Sequence, residues 1–136
     1  MTAPRPAPAV TDLNRAFWTG GATGRLLIQR CRCGRWNHPP TDACPTCGSR
    51  ELDVEPVSGR GTVFTYTVNR HVFDPSVPVP YVIAIVELVE QAGLRITSNI
   101  VNCPVDEVTV GTPVQATFEQ QGELSIPLFE PAEAPL

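Results

Sequence analysis

The stretch Cys31-Arg32-Cys33-Gly34, answered downstream by Cys44-Pro45-Thr46-Cys47-Gly48, decides how the rest of this chain is read. Four of the five cysteines fall in this window, grouped as two short pairs. Paired thiolates at such spacing suit one tetrahedral zinc, with each pair turning over the metal on a tight loop. Gly34 and Gly48 each follow the second cysteine of a pair. Positive φ at that position lets backbone amides point at the sulfurs, and glycine adopts it without steric cost. The second pair is a regular knuckle. The first is short, with only Arg32 between its cysteines. Four thiolates close the coordination sphere and leave no position for water or substrate, so the expected site is structural rather than catalytic.

Other readings of the cysteines stay open at this point. Two disulfides in a secreted mini-domain would give the same count, but residues 1–10 are rich in proline and alanine and show no apolar signal segment. A thioredoxin-like redox pair would need one pair beside a βαβ pattern, which is not visible. Cysteines that keep the ribbon shape without metal are the third alternative. His38, between the pairs, is a spare ligand candidate, although four cysteines suffice and such a histidine is more often a turn or surface residue.

Residues 26–30, Leu-Leu-Ile-Gln-Arg, predict a strand that runs into the first knuckle, and residues 36–40 return the chain toward the second. Strand, knuckle, return, knuckle is the order of a zinc ribbon. Such a unit is too small to carry a core, so its metal would supply folding free energy. Upstream, Thr11 is placed to cap a short helix over residues 12–18, with Asp12 favourable near its positive end. Leu13, Phe17 and Trp18 lie on or near one face, and Gly20 and Gly21 are expected to end it. So short a helix is unstable alone, and its aromatics must dock either on this chain or on a partner subunit.

Downstream, residues 51–58 read as a linker, after which the pattern turns to pure β. Strands are expected over residues 62–68, rich in β-branched and aromatic side chains, and over 81–88, apolar on both faces as if covered on both. A third follows at 94–101, a single helical turn at 104–108, and two more strands at 112–118 and 124–129. Three strands, a short helix and two strands is the order of an OB-type barrel, and no connection is long enough for a parallel crossover. The expected fold is therefore mostly β. A disordered start and N-terminal helix occupy residues 1–25, a zinc ribbon 26–56, a five-stranded antiparallel OB-type barrel 57–131 and a tail 132–136. A generic β-sandwich is the alternative.

Composition narrows the function. A net charge of −4, with only Arg60, Arg70 and Arg95 as cations from Gly59 onward, disfavours nucleic acid and anionic membranes. The ribbon is more basic, and Arg25, Arg30, Arg32, Arg35 and Arg50 suit an acidic protein surface or the phosphates of a nucleotide-bearing ligand. No apolar run approaches the ~20 residues of a membrane span, and a cytoplasmic protein is expected. No nucleophile elbow, phosphate loop or dinucleotide motif occurs. Cys103 reads as a small buried hydrophobe, and His71 lies in a proline-rich loop. No catalytic residue is assigned.

Taken together, Leu27-Ile28-Gln29-Arg30-Cys31, Cys33-Gly34, His38-Pro39-Pro40, Cys44-Pro45-Thr46-Cys47-Gly48, Val57-Ser58-Gly59-Arg60-Gly61-Thr62-Val63, Pro80-Tyr81-Val82 and Val110-Gly111-Thr112-Pro113-Val114 resemble one family. It comprises OB-fold proteins with a rubredoxin-like zinc ribbon that partner thiolase-superfamily enzymes acting on acyl-CoA. The resemblance spans residues 11–131 and implies a non-catalytic accessory subunit. Its partner would be a thiolase, a hydroxymethylglutaryl-CoA-synthase-type enzyme or a retro-aldolase cleaving steroid side-chain CoA thioesters. It also implies Zn2+ on Cys31, Cys33, Cys44 and Cys47, although the family usually has two residues inside the first pair. A CoA thioester would be bound jointly with the partner. The loop from His71 to Tyr81, with Phe73 and Tyr81, is the expected partner- or CoA-facing surface. A free-standing OB-fold protein binding single-stranded nucleic acid is the alternative, and an enzyme using Cys103 or His71 is a further one.

Overall fold

In the computed structural model, which describes residues 6–132, the β-rich half closes into a barrel. Its strands are β4 (Arg60–Asn69), β5 (Tyr81–Leu88), β6 (Arg95–Ile100), β7 (Pro113–Gln121) and β8 (Leu124–Pro131), in spatial order β4-β5-β6-β8-β7. The helical turn expected before β7 is a 3-10 turn, Val105–Glu107. Closure comes from β7 pairing back on β4, with Gly61 opposite Val114. One expectation is corrected here. The barrel is mixed rather than antiparallel, because an odd number of strands cannot alternate direction all the way round. The parallel contact falls between β6 and β8, where Ile100 sits opposite Phe129 and the Ser98 hydroxyl donates to the Pro127 carbonyl at 2.8 Å.

Alternation along each strand fills the interior. Val63, Val82, Ala84, Val86, Leu88, Ile96, Val114 and Phe129 are buried, and each large side chain removed from water contributes roughly 1.5–3 kcal/mol. β5 was expected to be covered on both faces, yet only alternate residues are. Val82, Ala84, Val86 and Leu88 point inward, while Tyr81, Ile83, Ile85 and Glu87 form the outer row. Nothing else among the described residues covers Ile83, which remains 36% exposed.

The ribbon is a three-stranded sheet ordered β2-β1-β3, with β1 at Leu26–Cys31, β2 at Trp36–Asn37 and β3 at Leu52–Val57. The expected linker at 51–58 is thus a strand, paired with β1 from Leu26↔Val57 to Cys31↔Leu52. Asp53, Glu55 and Pro56 made it read as linker. In an edge strand a proline costs no ladder bond on the open side, and charged residues discourage edge-to-edge pairing. Leu26, Ile28 and Trp36 belong to the same buried cluster as the barrel valines, so ribbon and barrel share one core.

Thr11 and Asn14 exchange hydrogen bonds, the Asn14 amide to the Thr11 hydroxyl at 3.3 Å and the Thr11 amide to Asn14 Oδ1 at 2.7 Å. This exchange closes a turn that leads into α1 (Arg15–Thr19), which is shorter than expected and whose N-cap is Asn14, without a side-chain cap bond, rather than Thr11. Phe17 is buried in the shared core with Trp18 packed beside it, so the helix docks on this chain. Gly20 and Gly21 do not end the helical path; a 3-10 turn continues over Gly20–Thr23. Gly21 is needed for close approach, since a Cβ there would collide with the Phe118 ring and lie 2.6 Å from Ser125 Cβ. Gly21→Ala is therefore expected to cost about 1–3 kcal/mol through overpacking. A denaturant midpoint lowered at unchanged slope would show this, and an unmoved midpoint would contradict it. Among the described residues no helix is long and apolar enough to cross a membrane. Residues 1–5 and 133–136, in the expected disordered start and tail, lie outside the described residues.

Candidate metal centre and the uncovered barrel face

The two knuckles bring Cys31, Cys33, Cys44 and Cys47 together, with all four sulfurs within 4.8 Å of one another. The Cys31 and Cys47 sulfurs are 3.4 Å apart, and those of Cys33 and Cys44 3.9 Å. A tetrahedral site with Zn–S bonds of about 2.3 Å has sulfur–sulfur edges of about 3.8 Å, so the donor set fits zinc. The missing residue of the first pair is absorbed in its turn. There the Gly34 amide donates to the Cys31 carbonyl at 2.8 Å, three residues back. In the regular knuckle the Gly48 amide donates to the Cys44 carbonyl, four residues back, at the same distance. Gly34 (φ 95°) and Gly48 (φ 77°) take the positive φ their positions predict.

The two buried cysteines of the cluster sit in opposite electrostatic surroundings. The backbone amide of Cys47, helped by that of Thr46 and opposed by burial, lowers the Cys44 thiol to about 6. At Cys31 the Cys33 amide also favours the thiolate. Burial and the sulfurs of Cys47, Cys33 and Cys44 outweigh it and push that thiol up to about 12. The pocket thus favours a thiolate at Cys44 and disfavours one at Cys31.

Two glutamines hold the knuckles in place, and neither has a local sequence signature. The Gln29 side chain, buried in β1, donates to the Thr41 carbonyl at 2.9 Å and accepts from the Thr41 amide at 3.1 Å. It thereby fixes the approach to Cys44. Gln91, in the β5–β6 turn, accepts from the Trp36 amide at 3.0 Å and donates to the Trp36 carbonyl at 2.9 Å, tying ribbon to barrel. A polar residue inside the apolar run of β1 was the one available hint for Gln29; Gln91 offered none.

His38 is not in the sulfur cluster. Its ring packs on Phe17 with centroids 4.7 Å apart, and burial lowers its pKa from 6.5 to about 4. Between these values the unfolded chain binds a proton that the folded chain refuses, so stability falls as pH drops from 6.5 towards 4. The loss attributable to His38 is expected to be on the order of 2–3 kcal/mol. Urea titrations of wild type and His38→Gln across this window should diverge accordingly, and parallel curves would contradict the assignment.

Sequence-predicted Phe73 and Tyr81 differ in exposure. Phe73 is 78% exposed at the tip of the β4–β5 loop, its ring edge-on to His71 at 4.5 Å, and Tyr81 is half-buried at the head of β5 opposite Asn69. Along the outer face Tyr81 is followed by Ile83 and Ile85, flanked by Thr97 and Asn99 of β6. Phe64, exposed at the β4 bulge, lies under the Arg95 guanidinium at 3.7 Å. Cys103 packs against the core, and burial, with Glu107 adding to it, raises its pKa, which works against a nucleophile. Several arginines are engaged by acids: Arg32 with Glu51 at 2.6 Å, Arg30 with Glu55 at 3.6 Å, Arg70 with Asp106 at 3.6 Å and Arg95 with Glu87 at 3.3 Å.

Known proteins share this arrangement. Residues 18–53 match the family model described as the ChsH2 rubredoxin-like zinc ribbon domain, and residues 54–119 match the ChsH2 C-terminal OB-fold domain. A probable enoyl-CoA hydratase alpha subunit of Thermomonospora curvata is 42% identical over 131 residues, 94% of this chain and 40% of that protein. The chain thus spans less than half the length of that relative. A DUF35 domain-containing scaffold protein of Methanocaldococcus jannaschii is 42% identical over 99 residues, 70% of this chain and 68% of that one. The solved structure of a chain of an Ltp2-ChsH2(DUF35) aldolase superposes with a TM-score of 0.80 at 40% identity, covering 92% of this chain and 98% of the other. With its ribbon and barrel both matched and its relatives covered across most of their length where they are of similar size, the chain belongs to the DUF35 family and carries the ChsH2-type zinc ribbon and OB-fold.

Proposed function

We propose that this chain is a non-catalytic accessory subunit that binds and stabilises a thiolase-superfamily enzyme acting on acyl-CoA. The partner is a thiolase or a retro-aldolase, with steroid side-chain CoA thioesters among its candidate substrates. The observation that carries this reading is β5, whose inner face is buried while its largely apolar outer row is only partly covered by the described residues. An outer row with Ile83 exposed between half-buried Tyr81 and Ile85, beside exposed Phe73 in the adjacent loop, is the kind of surface that a permanent partner buries. The names of the relatives support it: one is a probable enoyl-CoA hydratase alpha subunit, one a scaffold protein, and one a chain of an Ltp2-ChsH2(DUF35) aldolase. In the complex, the β4–β5 loop with Phe73 and Tyr81 would face the partner and help line the passage for the CoA arm.

Cys31, Cys33, Cys44 and Cys47 would hold a structural zinc. Bound there, the ion fastens the two knuckles and supplies no step of a reaction, since four thiolates fill its coordination sphere. The alternative of a nucleic-acid-binding OB module asks for a free basic groove. Here Arg70 and Arg95 of the barrel are held by Asp106 and Glu87. Purifying the tagged chain from its native host, with mass spectrometry and metal analysis of the same eluate, tests the proposal. A near-stoichiometric thiolase-like protein and about one zinc per chain are expected. Recovery of the chain alone, or with nucleic acid, would overturn it.

A further inference from the structure

β6 pairs with β5 along its whole length but meets β8 at a single position, Ile100 opposite Phe129. The register decides which of its backbone groups are left over. At the turn the Leu88 amide donates to the Leu94 carbonyl at 2.9 Å, which makes these two a hydrogen-bonded pair. Bonded and non-bonded pairs alternate along an antiparallel ladder. Ile96 and Ser98 therefore bond to β5, while the amides and carbonyls of Arg95 and Thr97 point the other way, towards β8. Val101, of the same parity, does reach β8, its amide donating to the Phe129 carbonyl at 2.8 Å. Two residues back the ladder stops at a proline. Ser98 lies beside Pro127, whose carbonyl takes the Ser98 hydroxyl, and Pro127 has no amide to offer the Thr97 carbonyl. Among the described residues nothing pairs with the outward backbone of Arg95 and Thr97. Both residues are exposed, and both line a cleft of about 400 Å³ whose other walls include Leu13, Trp18, Pro39 and Pro40.

We propose that this open edge of β6 receives a short extended segment of the partner subunit, added as a strand beside Arg95–Thr97. Its apolar side chains rest on Leu13, Trp18 and the Pro39-Pro40 bend, and a carboxylate on it meets Arg95. The inference rests on the accessory-subunit reading and deepens it by naming what the partner brings to this surface. Unpaired amides and carbonyls on a strand edge are a template for another strand, with main-chain bonds giving affinity and side-chain pockets giving choice. The chemistry of the segment follows from the cleft. Leu13 is 42% exposed, no acid lines the cleft, and Arg95 is its one full cation. Glu87 holds Arg95 through Nε, and the guanidinium lies over the Phe64 ring at 3.7 Å. The fork is thereby fixed with its two terminal nitrogens left for a carboxylate. The cleft also continues the outer row of β5, since Thr97 stands opposite Ile85.

Thr97→Pro deletes an edge donor without removing a bond to β5, and Thr97→Ala keeps that donor. Affinity for the thiolase-like protein recovered with the tagged chain is measured for both and for Arg95→Gln. Amide hydrogen exchange is followed over residues 95–99 in the free full-length chain and in the complex. Thr97→Pro and Arg95→Gln should each weaken binding by about 10-fold, and Thr97→Ala by less than about 3-fold. The Arg95 and Thr97 amides should exchange quickly in the free chain and slow by about 10-fold or more in the complex. If Thr97→Pro fails to fold, Arg95→Gln and the exchange data decide. Unchanged exchange in the complex, or wild-type affinity in the folded variants Thr97→Pro and Arg95→Gln, would overturn the inference. An Ile83→Asp variant that still lost affinity would then leave the accessory-subunit reading standing. Protection already present in the free chain would overturn it as well. At all concentrations such protection would mean that this chain covers its own edge, and a rise with concentration would mean that a second copy does. Recovery of no partner would remove the accessory-subunit reading, and this inference with it.

Discussion

Cys44→Ser is expected to purify nearly free of zinc and to lose the order of both knuckles while its barrel stays folded. Cys44 is one of the two buried cysteines of the cluster, the amides of Cys47 and Thr46 favour its thiolate, and the closed tetrahedral set has no spare donor to replace it. His38 cannot substitute, because its ring is committed to Phe17. A structural zinc of this kind contributes on the order of 10 kcal/mol to the small unit it closes. The damage should nevertheless stay local. Leu26, Ile28 and Trp36 are anchored in the core shared with the barrel, so β1 remains seated when the loops at its end open. Metal analysis with hydrogen exchange reads both halves of this expectation. Amides at residues 31–35 and 44–49 should exchange quickly while those of β4 to β8 stay protected. Full zinc retention would contradict the site, and global exchange would show that the metal holds the whole chain rather than its ribbon.

Ile83→Asp is expected to weaken the complex with the partner by about 2–4 kcal/mol, roughly 30-fold to 1,000-fold in Kd, with little effect on the isolated chain. Ile83 sits in the middle of the outer row of β5, between Tyr81 and Ile85, and opposite Asn99. A carboxylate there would be stranded when a partner covers the strand, and leaving a buried charge unpaired is costly. In the free chain the side chain already meets water, so the barrel's own stability should change by less than about 0.5–1 kcal/mol. Affinity measured by interferometry beside a denaturation curve of the same sample separates the two effects. Unchanged affinity would mean that the partner docks elsewhere.

The readable parts of this chain were those in which the chemistry is local. The cysteine pairs with their glycines announced the ribbon, and the β-branched runs at Tyr81–Leu88 and Arg95–Ile100 announced strands within a residue or so of their observed bounds. The strand–strand–strand, turn, strand–strand order was enough for the OB topology. What failed was less local. Residues 51–58 read as linker because Asp53, Glu55 and Pro56 are what an edge strand needs, and nothing within the segment reveals that β1 lies beside it. Gly20 and Gly21 read as a helix stop, yet the helical path runs on past them, and the constraint on Gly21 comes from Phe118 and Ser125 far along the chain. The parallel β6–β8 contact follows from closing an odd number of strands, which no single strand can signal. Around the cysteine cluster, the four cysteines were legible, but Gln29 and Gln91 were not, since an amide's role depends on which backbone it meets after folding. β5 was the instructive case. Its apolar outer face read as a covered strand, yet the described residues cover it only in part and leave Ile83 exposed.

The central claim is that catalysis belongs to a partner and this chain supports it. Acyl-CoA turnover by the chain alone, by the co-purified partner alone and by the reconstituted pair tests it most directly. The account predicts none for the chain, weak or unstable activity for the partner, and full activity for the pair. Turnover by the isolated chain at a rate comparable to the pair would contradict it.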